Sequence, residues 1–188
     1  LLFSESLTCL VLVVMSAPHV NSMLPLNDGF DMPQFGLTSF RNDNTDLYKD
    51  LLVERLNQGI RHIEISDLFG NGSFAVESVL DGALAIKRKD IFITFKIWPK
   101  NSKQQDLVES FHESMHFLGL EYVDLLLIHA PIDINNRLDQ WKALEQLKSE
   151  GLAKSIGGCN MTHAQLSNLI KVCTVIPAVV EVSYVYLF

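Results

Sequence analysis

Two unbroken apolar runs, IFITFKIWP (91–99) and VDLLLIHAP (123–131), each carry a basic or titratable side chain near their close, Lys96 and His129. A strand without polar alternation is buried on both faces, the habit of parallel sheets. A helix-length stretch separates the two runs, as a parallel crossover requires. The rest of the chain repeats the pattern. Segments 35–40, 62–66, 154–157 and 178–184 read as further strands; stretches opening at Thr45, Ser73, Ser102, Arg137 and Thr162 read as helices. Gly59, Gly119 and Gly151 stand where three of those helices should end. Ahead of them, LNDGFDMP (26–33) sets Asn-Asp-Gly between apolar flanks, a hairpin signal. A strand–helix unit therefore recurs roughly every 30 residues, which predicts an α/β fold, either a doubly wound sheet or a barrel. Side chains at the C-terminal strand ends line the mouth of such folds, so Lys96 and His129 are the first site candidates.

Composition narrows the function classes. With 188 residues, 48% of them hydrophobic, the chain can bury a sizeable core. A net charge of −7 argues against a nucleic-acid surface, and the longest basic run, KRK at 87–89, reads as a solvated helix end. Cys9, Cys159 and Cys173 form no C-x-x-C pair, which reads as reduced thiols in a cytoplasmic protein. Residues 1–22 differ from the rest, and Leu7 to Met15 is an apolar run too short to span a bilayer. This segment reads as a translated leader ahead of Met23 or as a secretory signal cut near Ser16 or Ala17. The second alternative makes the protein secreted. The domain proper is then 23–188.

In order along that domain, PLNDGFDMPQFGLTSFR, GIRHIEISDLFGN, KRKDIFITFKIWP, LGLEYVDLLLIHAP, WKALEQLKSEGLAKSIGGCN and PAVVEVSY resemble the successive signatures of the aldo-keto reductases. The resemblance implies a (β/α)₈ barrel of TIM type with a hairpin under its base, NADPH across the top, and reduction of small aldehydes and ketones to alcohols. It implies a catalytic set of Tyr, Asp, Lys and His. Here Lys96 and His129 match, Glu64 stands where the Asp belongs, and Phe69 stands where the Tyr belongs. Glu for Asp keeps the charge but displaces it by about an ångström, a shift that costs on the order of a hundredfold in rate. Phe for Tyr removes the proton donor, commonly worth about 10²–10⁴-fold. The family's grip on the nicotinamide carboxamide maps to Cys159, Asn160 and Glu181. A thiol is a weak substitute for a hydroxyl, and an ionised carboxylate only accepts.

The chain reaches Phe188 within or just past its sixth barrel strand. A full barrel takes about 250 residues, so the expectation is a truncated barrel of about six βα units with an N-terminal hairpin. A fragment and a partner-completed barrel are both open, and the unpaired edges invite self-association. The expected function is an NADPH-dependent reductase whose activity is lost or severely impaired; the alternative is a non-catalytic scaffold or gene fragment. The same residues have plainer roles: Glu64 with Lys96 as a structural ion pair, His129 as a rim histidine, Phe69 as filler, Asn160 as a turn residue. One rival motif remains. His112-Glu113-x-x-His116 has the zinc-protease spacing. It falls on a helix expected outside the barrel, away from the mouth, so no metal site is expected there.

Overall fold

The computed structural model describes residues 19–20, 22–38, 45–67, 76, 86–99, 103–129 and 137–182. Residues 1–18 and 21 lie outside them, as do Phe69, most of the helix expected from Ser73 and residues 183–188. Strands β1 (Met23–Pro25) and β2 (Asp31–Pro33) pair antiparallel as the expected hairpin. Six strands follow: β3 (Leu37–Thr38), β4 (His62–Ser66), β5 (Phe92–Ile97), β6 (Val123–Ile128), β7 (Ala153–Cys159) and β8 (Val179–Glu181). They form one parallel sheet in chain order, each strand hydrogen-bonded to the next. Between them run α1 (Thr45–Asn57), α2 (Gln104–Leu118), α3 (Arg137–Ser149) and α4 (His163–Ile170). The sheet curls into a half-barrel.

Strand parity divides the chain into two layers. Alternate residues such as Ile63, Ile65, Ile93, Phe95, Leu126 and Ile156 face the helices and form the larger core with them. The other set faces the barrel axis, where Leu125, Leu127 and Cys159 pack with Met32 of the hairpin. That inner set also holds the polar residues His62, Glu64, Thr94, Lys96 and Ser155, all buried. Both faces are dry, which is why the strand sequences do not alternate.

The helices end as their sequences require. α2 stops at Gly119, whose φ of 64° is the left-handed conformation a C-cap uses. α4 opens with a capping box: Gln165 N donates to Thr162 Oγ1, and Thr162 N donates to Gln165 Oε1. The hairpin is fastened at the N-terminal ends of the strands. Asn27 donates to Pro177 O at 3.0 Å, Lys148 donates to Asp28 at 2.9 Å, and the His62 ring bonds Pro33 O at 3.2 Å. Burial lowers the His62 pKa, so the ring is neutral. A carbonyl can only accept, so Nδ1 carries the proton and Thr94 Oγ1 donates to Nε2 at 2.8 Å.

Two differences from the sequence reading bear on the packing around the sheet. β7 continues two residues past Gly157, because the glycine serves close packing rather than a break: a Cβ there would lie 2.2 Å from Val179 O. The basic run at 87–89 is only partly solvated. Arg88 turns under the sheet to Asp124 at 2.8 Å and stacks 4.0 Å over the Tyr122 ring, while Lys87 and Lys89 are exposed.

Candidate active site

Three inward positions on separate strands converge at the mouth. Lys96, one residue from the end of β5, places Nζ 2.6 Å from Glu64 Oε1 on β4 and 2.5 Å from Glu181 Oε1 on β8. β5 and β8 are three strands apart, roughly 14 Å in a flat sheet at a spacing of about 4.8 Å. Contact across that gap follows from the curl. Thr38 Oγ1 on β3 donates to Glu64 Oε1 at 2.7 Å, so four strands contribute to one hydrogen-bonded cluster. The three charged side chains are no more than 10% exposed.

Their electrostatics follow from one cation serving two anions. Burial opposes the Glu64 charge, but attraction to Lys96 and hydrogen bonds from Lys96, Glu181 and Thr38 outweigh it and hold the carboxyl below its ordinary value. Burial likewise works against the Lys96 ammonium, yet Glu64, then Cys159 and Glu181, hold its pKa above the lysine range. Glu181 takes the opposite course. Burial, then repulsion from Glu64, outweigh Lys96 and push it up to about 7. Glu181 is therefore near half-protonated at neutral pH.

His129 follows β6, held by its backbone N to Ile97 O at 2.9 Å. Its Nδ1 lies 3.2 Å from Ser66 Oγ, and its ring meets Trp98 edge-on at 5.4 Å. Burial and the nearby Lys96 lower its pKa, so the imidazole is neutral at pH 7. The Asp67 carboxylate accepts from Trp98 N at 2.9 Å and ties the ends of β4 and β5 together.

The structure thus brings Glu64, Lys96 and Glu181 into one cluster, with His129 beside it. Cys159 closes β7 opposite Glu181 in register, but is 1% exposed, and burial followed by Glu181 raises its thiol pKa. Asn160 takes a left-handed backbone with φ of 52°, and its N donates to Glu181 O at 2.7 Å. Phe69 lies outside the described residues. Thr38, Ser66 and Asp67 were missed by sequence reasoning. Ser66 shares the inward face of β4 with Glu64, so strand parity was the available signal. His112, Glu113 and His116 are all on α2, on the helix side of the sheet, with His112, Glu113 and His116 exposed. Among the described residues, no group of three metal-ligating side chains is placed to hold an ion.

An open parallel α/β barrel with a Lys–carboxylate cluster at its C-terminal mouth defines a narrow class, and comparison with known proteins supplies the family. Residues 34–187 match the Aldo/keto reductase family, and the chain belongs to it. YtbE, an uncharacterized oxidoreductase of Bacillus subtilis, is 30% identical over 168 residues, 88% of this chain and 60% of its own length. The methylglyoxal reductase DkgA of Salmonella typhimurium is 34% identical over 162 residues, 86% of this chain and 57% of its own. An aldo/keto reductase structure from Brucella melitensis superposes with a TM-score of 0.78 at 33% identity, over 86% of this chain and 62% of that one. An aldo-keto reductase solved in complex with NADPH gives 0.79 at 29% identity, over 86% and 54%. The chain spans less than two thirds of the length of each of these four proteins.

Proposed function

We propose that the six parallel strands β3–β8 belong to an NADPH-type reductase barrel in which carbonyl-to-alcohol reduction is lost or severely impaired. The observation that carries the reading is the double engagement of Lys96. Above the Glu181 midpoint the cluster is net negative: two carboxylates and one ammonium. A reacting carbonyl oxygen acquires negative charge, and a net negative mouth raises the barrier to that charge rather than lowering it. Phe69 adds to this, because its ring has no proton to give. Two of the residues expected to hold a nicotinamide carboxamide fit it poorly: Cys159 is buried, and one Glu181 oxygen is taken by Lys96. The free thiols of Cys159 and Cys173 support a cytoplasmic protein.

The test is carbonyl-dependent NADPH oxidation with a panel of small aldehydes, alongside NADPH titration of the intrinsic fluorescence of Trp98 and Trp141. Weak or absent binding and turnover are expected. Phe69→Tyr alone should not restore turnover, since the cluster and the buried thiol remain. Reduction at rates ordinary for such enzymes refutes the reading.

A further inference from the structure

We infer that Glu64 and Glu181 share one proton across Lys96, and that Glu181 presents it as an O–H donor to a ligand oxygen at the barrel mouth. The inference rests on the reading above and deepens it by naming the hydrogen-bond donor that this mouth keeps for binding. Its basis is geometric. One ammonium lies within 2.6 Å of two carboxylate oxygens, in a cluster no more than 10% exposed. A single cation does not neutralise two buried anions, and close carboxylates do not both ionise freely.

The proton's place follows from the unequal partners. Glu64, on an inner strand, has Lys96 and the Thr38 hydroxyl to stabilise its charge. Glu181 ends the edge strand β8 and faces Lys96 of β5, Glu64 of β4 and the Cys159 thiol of β7. His129, after β6, feels Lys96 and Glu64 and is itself neutral. Among these described neighbours there is no second cation. The Glu181 O–H donates a hydrogen bond to the carbonyl oxygen of the ligand while its other oxygen accepts from Lys96, and neither a proton nor electrons are transferred. The ligand class is a small, uncharged compound with a carbonyl oxygen, because the Glu64 charge repels carboxylates.

The full chain, labelled with ¹³C at glutamate Cδ, is titrated by NMR between pH 5 and 9. One carboxyl should stay protonated into the neutral range with a midpoint near 7, and its signal should vanish in Glu181→Gln. If every glutamate of the wild type titrates in the ordinary carboxylate range, the shared proton does not exist, whether or not the variant folds. Access is read with dicyclohexylcarbodiimide, which reacts with protonated carboxyls. Adduct at Glu181 by mass spectrometry should be roughly 30-fold less at pH 8.5 than at pH 6, the ratio of protonated fractions about a midpoint near 7. Adduct at Glu64 instead, or none at either pH, overturns the assignment of Glu181 as donor. Neither readout uses NADPH. Ordinary reductase rates would sink the proposed function and leave the proton pair standing, so the two fail separately.

Discussion

Lys96→Met removes the one cation among the described residues of the cluster and leaves Glu64 and Glu181 facing each other at no more than 10% exposure. Breaking a buried pair this way costs about 3–5 kcal/mol, because an uncompensated charge stays behind. A stranded carboxyl has one escape, which is to protonate. Holding one neutral at pH 8 against an ordinary value of 4.5 costs about 1.36 kcal/mol for each of 3.5 pH units, roughly 5 kcal/mol. At pH 5 the same escape costs under about 1 kcal/mol. The sign follows from linkage. In the variant the carboxyls have folded pKa values above their unfolded ones, so their contribution is fully present below about 4.5 and is lost as pH rises through the folded values. In the wild type, Glu64 runs the other way: its pKa is depressed, and its contribution is lost as pH falls. The deficit of the variant should therefore grow from about 1 kcal/mol at pH 5 to about 3–5 kcal/mol at pH 8, a large share of a typical domain's 5–15 kcal/mol. Urea denaturation followed by Trp98 and Trp141 fluorescence measures it. Combining Lys96→Met with Glu64→Gln and Glu181→Gln should recover most of the loss at pH 8. An equal deficit at both pH values, or one below about 1 kcal/mol at pH 8, refutes the claim that Lys96 is what keeps the two carboxylates tolerable in the interior.

Two further substitutions test the packing around the site. Gly157→Ala puts a Cβ 2.2 Å from Val179 O and 2.7 Å from Leu127 Cδ2, so β8 must shift off β7. A loss of about 1–3 kcal/mol or more is expected, visible as a thermal midpoint lower by roughly 2–4 °C per kcal/mol. An unchanged melting curve would contradict the close approach. Gln140 of α3 is fully buried, and among the described residues neither of its amide atoms has a hydrogen-bond partner. Gln140→Met fills the same space without polar atoms and should raise stability by about 1–3 kcal/mol; calorimetry showing a loss would mean the amide has a partner.

Much of the framework was legible before any coordinates. The boundaries of β4, 62–66, follow from the dry run HIEIS, and those of β6 differ from the expected run only at its end. The ends of α1, α2 and α3 follow from glycines whose backbone takes positive φ. Such features are local: sterics, caps and burial patterns act within a few residues. The errors arose where the cause is not local. Gly157 looked like the end of a strand because a glycine's reason, here the carbonyl of Val179, lies on another strand. Arg88 looked solvated because Asp124, its partner, is 36 residues away.

By itself the sequence determined the order of the strands and helices along the chain and that Lys96 and His129 close two buried strands, while the family resemblance set Glu64 beside Lys96. Tertiary structure decided that Glu181, 85 residues beyond Lys96, reaches back to the same ammonium. It also decided that this carboxyl is lifted to about 7 while Glu64 is depressed. The reason is that face parity is a property of one strand, whereas contact across a curled sheet depends on the register of every strand between. A carboxyl's charge depends further on the burial and neighbours that only the closed curve supplies.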